Sequence, residues 1–236
     1  MKIYFDGCSW TEGAELENPE EERFSRLLCQ EFDAEEKNIS CSGASNDRLV
    51  RNLLVNKKIE EYDLAVIQMT FPARTEYYSG TTHKKGILQS GWIWVNQKYN
   101  FSYFLHKRKY RKIKNVDAGP ADKQSEIWKD IEDYFHFHKD FWKQYYMTVT
   151  TEKFFNTKEN IHQQTIRNHC QVKGVPLILS TINAWTPLKF DLHLNTNHPN
   201  VFKNKEKLPT HRMGHPTKEG HRMIANQIIE IAQGLL

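Results

Sequence analysis

Hydrophobic positions in the first seventy residues predict strands that alternate with helices. Short apolar runs at 2–5 and 63–70 have the length of strands, and residues 38–41 predict another strand between them. In the segments 19–32 and 45–57, apolar side chains recur every three or four residues, which indicates amphipathic helices. This alternation is typical of a parallel sheet covered by helices.

The C-terminal part of the chain continues the same pattern. Residues 175–181 form another apolar run of strand length, and residues 217–236 predict a final helix with an apolar stripe. We therefore predict a three-layer α/β fold in which residues 1–236 form a single domain.

The middle of the chain departs from this pattern. Residues 77–116 contain no Asp or Glu, and their nine Lys or Arg residues are interleaved with nine aromatic ones. The alternation within 91–104 predicts a β-hairpin, and residues 125–171 predict one or two long helices. We interpret residues 77–172 as an insertion in the α/β domain, or as a cap over it.

Composition narrows the class of protein. The chain has 236 residues and a net charge of +4, and no apolar run approaches the roughly 20 residues that span a bilayer. The N-terminal segment lacks the apolar stretch of a signal peptide, so we expect a cytoplasmic protein, in the host cytoplasm if it is viral. The four cysteines form no C-x-x-C pair, which argues against a zinc ribbon or a redox dithiol.

Polar or flexible residues stand at the ends of the predicted strands. Ser9, Gly43 and Thr70 follow the first three strands in turn, and His215 stands just before the last helix. Because ligands meet parallel α/β sheets at the carboxyl ends of strands, we expect these positions to share one edge. For acyl transfer a serine hydroxyl needs a neighbouring base, and glycines let backbone N–H groups approach the oxyanion.

Four segments carry a resemblance to a known family. Residues 7–13 (GCSWTEG) are similar to the first sequence block of the SGNH (GDSL-type) hydrolases, and residues 40–51 resemble the second. Residues 63–76 occupy the place of the third block, and 214–228, with its His-Pro pair, resemble the fifth. These versions of the blocks look most like the divergent SGNH proteins of tailed phages and their hosts.

The resemblance implies a flavodoxin-like α/β/α fold and a serine esterase mechanism without a cofactor. Ser9 would be the nucleophile and His215 the base, with the N–H groups of Ser9 and Gly43 around the oxyanion. Asn46 and Thr70 would belong to the oxyanion or substrate site. Small acyl esters, such as O-acetyl groups on sugars, are common substrates of the family.

The third block departs from the family at the oxyanion site. The family usually supplies an asparagine there, whereas residues 68–72 are Gln-Met-Thr-Phe-Pro. Gln68, Thr70 or Asn46 would have to take its place.

The fifth block lacks the acid that usually precedes the histidine by two or three residues. Arg212 and Met213 stand there instead. A backbone carbonyl would then orient His215 in a Ser–His dyad, or Asp191 or Glu219 would supply a carboxylate. Loss of the acid costs about 10⁴-fold in turnover in one well-studied triad, so the resemblance allows for weak activity.

Other chemistries are less favoured by the pattern. Cys8 is next to Ser9, but strand alternation directs its side chain into the packing, away from the site. The five histidines from 193 to 221 include no H-E-x-x-H spacing, so we predict no metal site. One of them, His221, falls on the predicted last helix, and we interpret it as a capping or packed side chain.

The basic stretch at 106–114 (HKRKYRKIK) is a candidate for contact with an anionic polymer. Aromatic rings beside cations suit single-stranded nucleic acid and equally suit a glycan. The residues expected to make this contact are Lys107, Arg108, Lys109 and Arg111. Two rival functions follow: a weak or inactive hydrolase scaffold that binds such a polymer, and an enzyme that acts on nucleic acid.

Overall fold

The computed structural model describes residues 1–56, 58–78, 92–95, 151–183, 186–194, 208–211 and 214–236. The chain divides into two compact units, one formed by 1–75 with 156–236 and the other by 76–155. No helix in these described ranges is long and apolar enough to cross a bilayer.

The first unit is built on a parallel sheet. The strands in chain order are β1 (Lys2–Asp6), β2 (Glu35–Asn38), β3 (Leu64–Met69), β4 (Thr75–Tyr78), β5 (Trp92–Val95), β6 (Leu177–Thr181) and β7 (Leu192–His193). Five of them pair in parallel in the order β2-β1-β3-β6-β7, while β4 and β5 form a separate two-stranded sheet. Numbered within the sheet, the order is 2-1-3-4-5, the doubly wound flavodoxin-like arrangement.

Helices cover both faces of this sheet. They are α1 (Ser9–Glu12), α2 (Pro19–Glu22), α3 (Phe24–Glu31), α4 (Asn46–Val55), α5 (Glu152–Val172) and α6 (Lys218–Gln233), with a 3₁₀ turn at Ile59–Glu61. Alternate side chains of β1 enter different cores, since Ile3 and Phe5 pack with α3 and α6 whereas Tyr4 packs with α4 and α5. The predicted three-layer α/β fold is confirmed.

Some predicted elements have different bounds. β2 lies at Glu35–Asn38 and not at 38–41, because an edge strand with one face toward solvent is polar and leaves no apolar run. The helix predicted over 19–32 is two helices, interrupted at Arg23, where the backbone is extended. The guanidinium of Arg23 binds Glu20 and Glu36 there.

The predictions for the middle of the chain are only partly covered. Trp92–Val95, from the predicted hairpin, pairs with Thr75–Tyr78, and the rest of 91–104 lies outside the described residues. Residues 156–172 of α5 belong to the first unit. The boundary between the two units therefore lies before residue 172, where the predicted insertion ends. That residues 77–172 form an insertion in the α/β domain or a cap over it stays a prediction.

Candidate functional site

Ser9 lies where the sheet order reverses. In a doubly wound sheet, ligands bind outside the carboxyl ends of the strands at this switch point, which here lies between β1 and β3. Ser9 begins α1 just after β1 ends at Asp6, and Thr70 directly follows β3. The topology therefore places the serine at the edge predicted from the sequence.

The turn before α1 fixes the serine backbone. Cys8 is extended and fully buried, and its carbonyl accepts hydrogen bonds from the N–H groups of Thr11 and Glu12, both at 3.0 Å. The Ser9 N–H donates to no acceptor among the described residues. It is thus free to donate to an oxyanion that forms next to the hydroxyl.

Gly7 is required because no side chain fits at its position. A Cβ placed there would overlap Thr11 Oγ1, and it would stand 2.8 Å from Thr11 Cβ and 3.1 Å from Gln68 Cβ. Thr11 Oγ1 in turn donates to Gln68 Oε1 at 2.9 Å, and both side chains are fully buried. Gln68 therefore braces the turn from β3, and its amide nitrogen donates to the Met69 carbonyl at 3.1 Å.

His215 meets Ser9 across more than two hundred residues of sequence. Its Nε2 lies 2.9 Å from Ser9 Oγ. The loop that carries it is held by an antiparallel bridge between Thr210 and Pro216 and by the hydrogen bond from His211 N to His215 O at 2.7 Å. The α6 helix then begins at once, because Thr217 caps it by accepting a hydrogen bond from Gly220 N.

Glu15 contacts the other ring nitrogen of this histidine. Its Oε2 lies 2.6 Å from His215 Nδ1, and both side chains are partly exposed. The two acids considered from the sequence are elsewhere: Asp191 binds Arg167 and the backbone of β6, and Glu219 pairs with Arg222.

Sequence reasoning missed Glu15. It stands six residues after Ser9 in a segment with several glutamates, and its backbone φ of +70° is unusual for a residue with a side chain. The one available signal was the missing acid of the fifth block, together with this acidic segment directly after the serine.

The loop that contains Gly43 is tied to the helix that begins at Ser9. Gly43 has a φ of +80°, a conformation that glycine adopts without strain. The carboxylate of Glu12 accepts hydrogen bonds from Ser42 N, at 2.7 Å, and from Ser42 Oγ. In the described part of the chain, Gly43 N–H has no acceptor, so it remains available to an oxyanion.

Asn46 and Thr70 hold loops together. The Asn46 amide accepts from Thr70 N at 2.8 Å and donates to Thr70 O at 3.0 Å. Thr70 Oγ1 accepts from Arg74 Nη1 at 2.8 Å, and the same nitrogen lies 3.3 Å from the carbonyl of Ala44. These bonds join the end of β3 to the Gly43 loop. That Asn46 and Thr70 belong to the oxyanion or substrate site stays a prediction.

Comparisons with known proteins place this geometry in context. No family model matches the chain, and no curated protein matches it significantly. Among solved structures, a carbohydrate esterase described as having divergent catalytic and non-catalytic binding functions is 11% identical, with a TM-score of 0.50, over 99% of this chain and 64% of that one. The chain shares the fold of this esterase, an SGNH-like α/β fold.

Two other solved structures match at lower TM-scores. A member of the lipolytic G-D-S-L family from Veillonella parvula is 12% identical, with a TM-score of 0.38, over 98% of this chain and 97% of that one. A two-domain esterase active on acetylated mannans is 14% identical, with a TM-score of 0.38, over 100% of this chain and 49% of that one.

A buried ion pair lies behind the serine turn of this SGNH-like fold. Asp6 is 1% exposed and accepts from Arg48 at 2.8 Å, from Asn52 at 3.0 Å and from Gly7 N at 2.9 Å. Burial raises the pKa of Asp6 to about 6, against the opposing effect of Arg48. The pair links β1 to α4, and we assign it to the support of the site.

His221 is a packed side chain in this fold. It is fully buried, stacks on Phe24 and accepts a hydrogen bond from Phe24 N at 3.1 Å. Burial lowers its pKa to about 4, so the ring is neutral near pH 7. Its contacts agree with the interpretation made from the sequence.

Two predictions remain, the contact with an anionic polymer and the absence of a metal site. Lys107, Arg108, Lys109 and Arg111 lie outside the described residues. Among the residues that are described, no three His, Cys, Asp or Glu side chains group as metal ligands.

Proposed function

We propose that this SGNH-like chain is a serine esterase that cleaves a small acyl ester through Ser9 and His215. The observation that carries the proposal is the 2.9 Å separation of His215 Nε2 and Ser9 Oγ at the switch point of the sheet. A serine hydroxyl in hydrogen-bond contact with an imidazole is the arrangement that activates a serine nucleophile.

The chemistry follows from these contacts. His215 Nε2 takes the proton from Ser9 Oγ as the oxygen attacks the ester carbonyl. The tetrahedral oxyanion accepts hydrogen bonds from the N–H groups of Ser9 and Gly43, which no described residue occupies. The intermediate then collapses, His215 gives the proton to the departing alcohol, and water releases the acyl group from Ser9 by the same steps.

The substrate class is proposed from fold likeness. The matched solved structures include carbohydrate esterases, one of them active on acetylated mannans. The match with a TM-score of 0.50 supports a sugar ester as the substrate class. The O-acetyl group that the sequence resemblance implies is the first such ester to test.

The rival proposal of an inactive scaffold is now less supported. It rested on the missing acid of the fifth block and on the missing asparagine of the third. A carboxylate does contact His215, although it comes from Glu15. We therefore favour an active hydrolase.

Covalent labelling tests the proposal directly. A fluorophosphonate probe should label the native protein at Ser9, and S9A should abolish labelling. H215A should reduce hydrolysis of p-nitrophenyl acetate by roughly 10³-fold or more. H221Q serves as the control for H215A, since His221 packs against Phe24 and forms no hydrogen bond with Ser9. C8A is a separate test of the thiol, because Cys8 Sγ lies 3.9 Å from Ser9 Oγ.

Labelling of folded protein at another residue, or no labelling at all, would remove the proposal. Labelling lost in C8A but kept in S9A would assign the nucleophile to the neighbouring thiol.

A further inference from the structure

We infer that Glu15 is the positioning residue for His215, so that one short segment supplies both the nucleophile and the acid of the site. The inference rests on the proposed function, because it assigns a role within the same reaction. Its basis is the contact of Glu15 Oε2 with His215 Nδ1 at 2.6 Å, while Nε2 faces Ser9 at 2.9 Å.

This contact favours the tautomer of His215 that carries its proton on Nδ1. A carboxylate accepts from Nδ1–H and cannot donate, so Nδ1 carries the proton and Nε2 is left as the acceptor for the serine hydroxyl. When Nε2 takes the serine proton, the imidazolium that forms stands beside a negative charge. In known triads the acid performs these two roles.

The backbone around Glu15 is shaped to make this contact. α1 ends after one turn at Gly13, whose φ is +86°, and the Ala14 N–H bonds to the Ser9 carbonyl at 2.9 Å. Glu15 then adopts a φ of +70°. A residue with a side chain rarely adopts this conformation, and such positions cluster at functional sites.

The arrangement also explains why the fifth block has no acid. The residues two and three positions before the histidine are Met213 and Arg212, and Nδ1 already has a carboxylate partner. The histidine is therefore held between two residues of the segment that follows β1, with Ser9 on one ring nitrogen and Glu15 on the other.

Substitution of Glu15 by Gln, by Asp and by Ala tests the inference. E15Q and E15A should lower kcat by roughly 10² to 10⁴-fold, as loss of the acid does in other triads. KM should change less than about threefold, because the carboxylate orients a catalytic group and does not contact the substrate. E15D, which keeps the charge on a shorter side chain, should recover part of the lost kcat.

Glu17 provides the matched control. It lies on the same segment and is exposed, and its carboxylate forms no hydrogen bond or ion pair with a described residue. E17Q should therefore keep the kcat of the native protein.

A second measurement does not depend on turnover. The ¹⁵N chemical shifts of a labelled imidazole report which ring nitrogen carries the proton. Native protein should give the Nδ1–H form of His215, and E15A should give a substantial fraction of the Nε2–H form. Circular dichroism of each variant checks that the fold is kept.

The outcomes separate the two proposals. If S9A abolishes turnover but E15Q and E15A keep native kcat and the Nδ1–H form, the role of Glu15 is refuted and the esterase remains. If the native protein has no esterase activity, the proposed function fails, and the ¹⁵N shifts alone decide whether Glu15 orients the ring.

Discussion

Gly7→Ala should destabilise the protein strongly, because the turn before Ser9 has no space for a methyl group. The new Cβ would overlap Thr11 Oγ1 and approach Gln68 Cβ to 3.1 Å. Overpacking of a buried site costs about 1–3 kcal/mol, and displacing Thr11 also breaks its buried hydrogen bond to Gln68, at about 1 kcal/mol. We expect a loss of roughly 2–4 kcal/mol in the free energy of unfolding.

Urea denaturation, followed by circular dichroism, measures this loss. G234A is the control, since Gly234 has a φ of −86° and a Cβ there would lie 3.5 Å from Ile231 O, an ordinary contact distance. It should change the free energy of unfolding by less than about 0.5 kcal/mol.

A double-mutant cycle identifies the cause. T11A removes the oxygen that the new methyl would overlap, so G7A/T11A should be more stable than the sum of the single effects predicts, by about 1 kcal/mol or more. An additive cycle, or a G7A protein as stable as the native one, would refute the reasoning.

Three further outcomes are expected. Burial raises the pKa of Asp6 to about 6 and lowers that of His221 to about 4. As the pH falls from 6.5 to 4, Asp6 takes up its proton more readily in the folded protein than in the unfolded chain, so its protonation stabilises the fold. His221 takes up its proton more readily in the unfolded chain, so its protonation destabilises the fold. Each shift is worth roughly 3 kcal/mol, so urea titrations across this range should show D6N losing stability relative to native protein as the pH falls and H221Q gaining it. Parallel curves for the three proteins would contradict both assignments. E12Q weakens the hydrogen bond from Ser42 N to Glu12, and we expect its kcat to be roughly tenfold lower than that of an E21Q control. Equal kcat values in the two variants would contradict a role for this hydrogen bond. Changing Lys107, Arg108 and Lys109 together to Ala should weaken binding of single-stranded DNA or an anionic glycan in gel shifts, and binding that is insensitive to salt would exclude an electrostatic contact.

The sequence was sufficient to predict the fold class and the edge of the sheet at which Ser9 and His215 meet. Ser9 and Gly43 were recognised because each follows a predicted strand and carries a small-residue turn. A parallel sheet brings its carboxyl ends to one edge, so strand order did not have to be known in advance. His215 was recognised from the His-Pro pair directly before the last helix.

The same reasoning could not predict the contact of Glu15 with His215. Glu15 reaches His215 only because the backbone turns through left-handed conformations at Gly13 and at Glu15 itself. Glutamate is not a residue that signals a positive φ, so neither local propensity nor spacing marks the turn.

The edge strand was misplaced for a related reason. β2 is Glu-Glu-Lys-Asn, with alternating half-buried and exposed positions. The apolar residues Ile39 and Cys41 lie just after it, and they predict a strand at 38–41 instead. The strand is formed by its backbone pairing with β1, in register from Lys2 with Glu35 to Phe5 with Asn38.

The site is held in place mainly by side chains that have no part in the proposed chemistry. Gln68 braces Thr11 from β3, Glu12 fixes the loop of Gly43, and Asn46 closes on the backbone of Thr70. Each hydrogen bond joins two segments that are distant in sequence and that follow or belong to different strands of the sheet.

Positioning errors of about 1 Å are enough to cost roughly 100-fold in rate, so these bonds determine whether the chemistry proceeds. Variants of these residues should then lower kcat together with the free energy of unfolding, whereas S9A and H215A should lower kcat alone. A set of bracing variants with native stability and reduced kcat would mean that these side chains act on the substrate directly.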